Sequence, residues 1–535
     1  MEVLSHTTLT GMMALVGAVI LIAALLSGLI ERSGLPQVAV FLALGTLLGP
    51  FGLKLFDVRL ESPLLQIVAT LSLTLVLFTD AVSLNLKEVR RQLTLALLVL
   101  GPGTLLSAFL IALAGGWMLH LSPASAAILG ASLASTDPVL LRGVLRGEHL
   151  PAAVRQALRL ESGLNDAVLL PVVLVGMVFL GDGSVVASDW VHLGLSLFLL
   201  GPGAGAAIGF LAVSALVMMR RRLGIRRDYE SLYSLGVVFA AYAGAEALHG
   251  SGFLAAFAAG MAIAALDVEL CDCFLEYGET TAEMALLFTF ILFGTSLIWS
   301  GLAVLSLRTL AFAALVILIR PVAFLASLAG LRLDWKERFL IAWLGPRGLS
   351  SLLLVLLPVF AGSPGSGELF SLTCTVVLLS IVLHGGSLMW LAKGARVSAA
   401  PSPAPEPTDR TPLPSAGMEE GFNRETVSIE EMQQLRERGE PVIVLDARTD
   451  RSYEGDHENA DGAIRFLPDR AVEPQATALG LPRDAWLIPF CACPNDETAI
   501  RVAEELRKAG WSRARALEGG WDAWKKRGLP TVARK

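Results

Sequence analysis

Between residues 9 and 392 the chain passes through apolar stretches of roughly 17–28 residues with hardly a pause between them. A helix needs about 20 apolar residues to cross a bilayer, and in hydrocarbon every backbone N–H and C=O must find its partner inside the segment. That pattern predicts an all-α polytopic membrane protein. Spans are expected near 9–30, 35–50, 64–84, 93–120, 124–145, 154–180, 190–219, 231–249, 251–266, 280–299, 302–330, 337–360 and 369–392, thirteen in all. The N-terminus lacks a basic region and a small-residue cleavage site, so the first apolar run reads as a retained helix. Hydrophobic residues make up 54% of the 535-residue chain, but not evenly. Residues 400–535 hold 19 of the 42 Lys and Arg, which marks an ordinary soluble domain attached to a very apolar one. The net charge of −6 gives no sign of nucleic acid, and five scattered cysteines do not make a disulfide scaffold. No cofactor is expected.

Loop charge orients the spans. Loops following odd-numbered spans carry Arg32, then Lys87, Arg90 and Arg91, then Arg142, Arg146, Arg155 and Arg159, then the Arg220–Arg227 group, then Arg332, Lys336 and Arg338. The alternate loops carry only Lys54, Arg59 and Arg308. Basic loops stay in the cytoplasm, which predicts a cell-membrane protein with its N-terminus outside and its C-terminal domain inside.

Two spans are interrupted. Ser135-Thr136-Asp137-Pro138 falls in the fifth and Gly345-Pro346-Arg347-Gly348 in the twelfth. Proline removes a backbone donor and clashes with the preceding turn, and Asp and Thr beside it can bond the freed backbone, so both segments are expected to be unwound. The breaks lie seven spans apart, which predicts two inverted six-helix repeats with an ion site near the midplane.

Ionisable residues cluster around those breaks: Asp80, Asp137, Glu161, Asp166, Glu246, Arg320 and Arg347. In Glu161-Ser162-Gly163-Leu164-Asn165-Asp166, helical spacing stacks Glu161 on Asn165 and Ser162 on Asp166. A carboxylate in hydrocarbon costs about 2.5–3.5 kcal/mol on insertion scales and marks a functional site. Asp166, Ser162, Asp80 and the freed carbonyl of Thr136 can supply oxygens to Na⁺ or Li⁺, with Asp137 in the same group of acids. Arg347 is expected to neutralise Glu161 or Asp137, and Arg320 to form a structural ion pair or an interface charge. His120 and His384 read as satisfied interface histidines.

Five motifs in order resemble the NhaP-type sodium/proton exchangers, a family of monovalent cation/proton antiporters. They are Leu77-Phe78-Thr79-Asp80, Ser135-Thr136-Asp137-Pro138-Val139, Glu161–Asp166, Ala245–Gly252 and Gly345–Gly348. The resemblance implies a thirteen-span fold, a core domain and a dimer domain, and homodimers in the lipid bilayer. It implies Asp166 as the residue that binds ion and proton, Ser162, Asp80 and the Thr136 backbone as co-ligands, Asn165 as the residue that holds the broken fifth helix, and Glu161 paired with Arg347. The Asn165-Asp166 order is similar to the electroneutral branch. Asp80 departs from the Glu frequent in similar chains. Exchange of K⁺ for H⁺ is the alternative to Na⁺, and a membrane-anchored sulfurtransferase is the rival of another class.

The chain divides into 1–396, a Pro-rich linker at 397–424, and 425–535. From about 425 short β runs alternate with amphipathic helices, which predicts a small α/β domain, and this part resembles a rhodanese-like module through Val444–Arg448, Tyr453, His457, Asp461–Ile464, Pro489-Phe490-Cys491, Leu517–Trp524 and Gly528–Pro530. The resemblance places a persulfide-forming Cys491 at a strand end before a helix, where it would meet small sulfur species. Asp496 and Glu497 in the same loop disfavour an anionic donor. A reducing cytoplasm predicts Cys491 mainly as thiol or thiolate, with Cys493 a candidate partner for a disulfide.

Overall fold

The computed structural model describes residues 37–398 and 426–533, apart from interruptions at 138–139, 142–149, 182–186, 224–227, 267–271 and 493–495 and at a few shorter positions. The expected span at 9–30, the linker and Cys493 lie outside the described residues.

The chain forms two compact units. In the first, helices occupy each expected span position from the second onward. Among the described residues six are long and apolar enough to cross a membrane, and a seventh span is formed if Met284–Thr295 and Leu297–Ala303, bent by 55°, count as one. The remaining apolar helices are shorter: Gln37–Leu48, Pro123–Ala134, Leu232–Ala247, Gly252–Ala265 and Leu349–Phe360. Short helices arise where the sequence breaks them. Pro123–Ala134 stops before Ser135, and residues 344–348 separate Trp335–Trp343 from Leu349–Phe360. Two further spans stay continuous but widen into π-turns, Val99–Leu105 around Pro102 and Ser196–Leu200 just before Gly201-Pro202. Proline cannot donate to the helical ladder, and one extra residue in the turn absorbs the lost bond.

The buried core of this unit is almost wholly Leu, Ile, Val, Phe and Ala, and it includes every side chain of Leu349–Phe360 up to Val359. That helix is apolar all round because other helices enclose it. Around it pack Pro123–Ala134, Ala152–Leu180 and Ser366–Ser398. The breaks at 135–137 and 344–348 therefore sit inside protein, where irregular backbone at membrane depth is tolerated.

The second unit contains a parallel sheet in which Val442–Asp446 lies between Ile464–Arg465 and Trp486–Phe490. Thr426–Val427 pairs in parallel with Ala516–Leu517, and Glu458–Ala460 pairs antiparallel with Thr531–Ala533. Leu445, Leu487, Val502, Leu506 and Trp511 form one core, while Val444, Ile488, Phe490, Trp521 and Trp524 form another. Strand alternation sends neighbouring residues to opposite faces, so the central strands feed both cores. Arg448 is buried and binds Asp446 through Nε at 2.9 Å and Nη2 at 2.6 Å, with its guanidinium 4.4 Å from the Trp521 ring.

Candidate functional site

The two breaks meet. The Asp137 amide donates to the Pro346 carbonyl at 2.9 Å, and the Leu349 amide donates to Asp137 Oδ2 at 2.8 Å. Asp137 thus caps the first turn of Leu349–Phe360, where exposed N–H groups favour an anion. The approach demands glycine before that helix, since a Cβ on Gly348 would lie 1.9 Å from Asp137 Oδ2. From the other direction, Arg347 Nη1 donates to the carbonyls of Ala134 at 2.9 Å and Ser135 at 3.2 Å, and Ser351 Oγ donates to the Ser135 carbonyl at 3.3 Å. Carbonyls at the end of the first broken helix are thereby satisfied by side chains from the second.

The helix Ala152–Leu180 runs past this crossing and carries Glu161, Asn165 and Asp166. Asn165 Nδ2 donates to Thr136 Oγ1 at 2.7 Å and to the Thr136 carbonyl at 3.3 Å, and Thr136 Oγ1 in turn donates to Glu161 Oε1 at 3.3 Å. Glu161 is clamped by Arg320, which reaches Oε2 at 2.6 Å and Oε1 at 2.9 Å through Nη2, and Oε1 at 3.3 Å through Nε. Arg320 spends its remaining donors on the carbonyls of Ile341 and Ala342, the last turn before the second break. A bidentate guanidinium–carboxylate pair with satisfied outer donors is the form in which charges survive burial.

One expectation is corrected here. Glu161 pairs with Arg320, not with Arg347, which instead holds backbone carbonyls of the first break. Asp137, expected among the ion-binding acids, also accepts through Oδ2 the first amide of the next helix. Either arginine suits Glu161 by type and depth, and only the packing of Leu307–Ser327 beside Glu161 separates them.

Asp166 differs from its neighbours. It is 3% exposed, against 2% for Glu161 and 1% for Asp137, yet among the described residues no cationic side chain pairs with it. Its contacts are hydroxyls. Ser135 Oγ donates to Oδ1 at 2.5 Å, and the Ser350 hydroxyl also hydrogen-bonds the carboxyl group. Close by, Asn165 Oδ1 and Arg347 Nη2 are buried without a hydrogen-bond partner among the described residues, which leaves polar capacity at the crossing. The other residues expected as ligands stand on adjoining surfaces. Ser162 is buried and its hydroxyl leans back to the Arg159 carbonyl at 3.4 Å. Asp80 is half-buried on Pro63–Ser83, and a Cβ on Gly163 would come within 3.9 Å of its carbonyl. Thr136 is engaged with Asn165 and Glu161. Sequence reasoning did not single out Ser135 or Ser350 as partners of Asp166. Each flanks a break, and the position beside a break was the available signal. Glu246 acts locally, since its Oε1 accepts the Gly252 amide at 2.9 Å and caps Gly252–Ala265.

Comparison with known proteins bears on this arrangement. The family described as sodium/hydrogen exchanger, transmembrane, matches residues 18–394, which contain the whole crossing. The chain belongs to the sodium/hydrogen exchanger family. It is similar to the K(+)/H(+) antiporter NhaP of Alkalimonas amylolytica, 28% identical over 399 residues covering 74% of this chain and 68% of that protein. It is also similar to the K(+)/H(+) antiporter NhaP2 of Shewanella sp. (strain MR-4), 29% identical over 402 residues, 73% of this chain and 68% of that one. Among solved structures it shares the fold of the sodium proton antiporter MjNhaP1 from Methanocaldococcus jannaschii at pH 8, with a TM-score of 0.58 at 20% identity, covering 71% of this chain and 99% of that one.

The rhodanese-like domain family matches residues 428–527, so this exchanger-family chain carries a rhodanese-like domain at its C-terminal end. There Cys491 follows the strand Trp486–Phe490, is 1% exposed and is joined in a disulfide. The thiol expected from compartment alone is therefore corrected, and the partner sulfur falls outside the described residues. The Trp521 amide donates to the Cys491 carbonyl at 2.8 Å, and Asp496 Oδ2 accepts the Gly519 amide at 2.6 Å. The acid expected to repel anionic donors is thus also a latch that holds Gly519–Trp521 against the cysteine.

Proposed function

We propose that the chain exchanges protons for a monovalent alkali cation by alternating access, with Asp166 carrying either the proton or the cation. The observation that supports this is the division of labour among three buried acids. Glu161 is neutralised by Arg320 and Asp137 caps a helix, while Asp166 has hydroxyl partners. Hydroxyls serve either state, donating to a carboxylate or accepting from a carboxylic acid. Competition of H⁺ and cation for one carboxyl group makes the exchange obligatory. Asp166 and Ser135, joined by Ser162, Asp80 and the Thr136 backbone after modest movement, would form the oxygen shell of the transported ion.

The motifs favour Na⁺ or Li⁺ as that ion, whereas the relatives named K(+)/H(+) antiporters favour K⁺. Everted vesicles loaded with a pH-gradient dye separate the readings. Respiration quenches the dye, and addition of the transported cation restores its fluorescence. Recovery on K⁺ but not on Na⁺ or Li⁺ assigns a potassium exchanger, and the reverse assigns a sodium exchanger. No recovery with any of the three discards the proposal. The single aspartate of Asn165-Asp166 supports one-for-one exchange, which moves no net charge. The rate should then ignore an imposed potassium–valinomycin potential, and acceleration by either polarity would establish unequal stoichiometry.

In the same reading the chain has thirteen spans in two inverted repeats, is a homodimer, and divides at 396 and 425. Its basic loops put the N-terminus outside and the rhodanese-like domain in the cytoplasm. That domain is read as a regulator whose sulfur at Cys491 responds to redox state or small sulfur species.

A further inference from the structure

The last described membrane helix, Ser366–Ser398, turns a polar stripe toward the second break. Ser380, His384 and Ser387 are spaced four and three residues apart and share one face. Ser380 Oγ accepts the Arg347 amide at 2.7 Å and lies 2.9 Å from His384 Nδ1. The Arg347 N–H and the His384 ring therefore meet on one serine oxygen, which is held from both sides. The stripe also holds the far edge of the break. Trp343, the final residue of Trp335–Trp343, packs on the His384 ring with centroids 5.3 Å apart, and its Nε1 donates to Ser387 Oγ at 3.2 Å.

We propose that Ser380 and His384 are positioning residues for cation exchange, holding the Gly345–Gly348 break in the register that shapes the Asp166 site. The inference rests on the reading of Asp166 as the exchanging carboxyl group. Arg347 is 1% exposed and its amide lies in the unwound segment, so the amide depends on a side-chain acceptor. That acceptor is Ser380, and His384 fixes the orientation of the Ser380 hydroxyl. From the fixed backbone, the Arg347 guanidinium reaches the Ser135 carbonyl at 3.2 Å, and the Ser135 hydroxyl reaches Asp166 at 2.5 Å. An unbroken path through Ser380, Arg347 and Ser135 thus links His384 to the carboxylate. Both residues act through Arg347 and not on the ion.

The test uses the full chain in everted vesicles, with NaCl and KCl as probes and the half-saturating cation concentration read apart from the maximal rate. Loss of the link should shift the geometry of the Asp166 shell, so Ser380→Ala and His384→Gln should raise the half-saturating concentration by about tenfold, the size of one lost hydrogen bond. Ser380→Thr keeps the hydroxyl, and His384→Asn puts an amide oxygen close to the Nδ1 position, where Gln cannot. Both should return the value to within about twofold of wild type. A purely packing role makes the opposite ranking, because Gln fills more of the histidine volume than Asn. If His384→Asn is as impaired as His384→Gln, or if Ser380→Ala binds cation like wild type, the inference is overturned. If His384→Leu fails to accumulate, the Asn and Gln variants still decide. Asp166→Asn is measured in parallel. Wild-type exchange in that variant overturns the reading of Asp166 and this inference with it. Loss of exchange there, with all Ser380 and His384 variants normal, overturns this inference alone.

Discussion

The crossing at Asp166 and the loop at Cys491 use the same local construction. In each, the chain leaves regular structure before a helix, and a carboxylate accepts a backbone N–H: Asp137 from Leu349 at 2.8 Å and Asp496 from Gly519 at 2.6 Å. In each, a glycine allows the contact, for a Cβ on Gly348 would meet Asp137 at 1.9 Å and one on Gly520 would meet the Cys491 carbonyl at 2.1 Å. The reactive atoms are treated in opposite ways. Asp166 meets serine hydroxyls, while the Cys491 sulfur is already bonded in a disulfide and its carbonyl is fixed by Trp521. Rigid scaffolding therefore does not by itself distinguish a working site. In the proposed mechanism, what distinguishes it is whether the group that must change partners is free of an ion pair and a helix cap.

The largest effect should follow removal of that group. Asp166→Asn preserves shape and keeps hydrogen bonds to the serines, so the protein should insert and accumulate normally but lose cation-dependent dequenching in vesicles. Retained exchange at the wild-type rate would erase the contrast between Asp166 and its fixed neighbours.

Next comes the fixed network. Arg320→Ala leaves Glu161 buried without a cation and should cost about 3–5 kcal/mol. A lower melting temperature in detergent and lower expression report that loss. Adding Glu161→Gln should restore part of it, because the orphaned charge is then gone. Strictly additive losses in the double variant would mean that the pair is not coupled. Arg347→Ala combined with Glu161→Gln should show no such recovery, since Arg347 serves carbonyls.

On the other side of the comparison, a sulfur held in a disulfide has no thiolate to take up sulfane sulfur. The purified full chain should show no thiosulfate:cyanide sulfur transfer before reduction. After dithiothreitol, transfer should stay weak because Asp496 and Glu497 follow Cys491 within six residues of sequence and their negative charge disfavours an anionic donor. Robust transfer abolished by Cys491→Ser would make the loop a working site and remove the contrast.

The smallest effect concerns Asp456, beside the same loop. Burial works to raise its pKa. The Trp521 indole N–H, the Lys525 side chain at 3.0 Å and the Glu458 amide at 3.1 Å outweigh burial and hold it below the usual carboxylate range. A group whose folded pKa is depressed stabilises the fold above its unfolded value, near about 3.9, and that contribution fades as pH falls through the folded pKa. Asp456→Asn should therefore lower the stability of the C-terminal domain by about 1 kcal/mol at neutral pH and by less at about pH 3. Urea midpoints of the domain, which has its own apolar cores, check this at both pH values. An equal loss at the two pH values would mean that charge is not involved.

Much of the candidate site was readable in the sequence because hydrocarbon makes polar residues conspicuous. Asp166, Asn165 and Glu161 stand out in a long apolar helix, and Pro138 and Pro346 announce broken helices without reference to any partner. What escaped reading was pairing across elements. Arg320 and Arg347 carry the same charge at similar depth, and nothing in one dimension says which meets Glu161. Ser135, Ser350 and Ser380 are small hydroxyl residues of a kind that often satisfies only its own helix, as Thr74 does on Thr70 at 2.6 Å.

The sequence alone determined the class of fold, because apolar runs of bilayer length leave helices as the way to satisfy the backbone in lipid. It also determined where those helices break and that a strand-and-helix module follows the linker. Tertiary structure decided which buried charges are paired or cap a helix and which meet hydroxyls. Those choices depend on groups far apart in the chain, such as the Arg347 guanidinium and the Ala134 carbonyl, or Arg320 and Glu161. Hydrogen bonds and buried ion pairs act over about 3 Å, a range that only the packing of helices against one another can set.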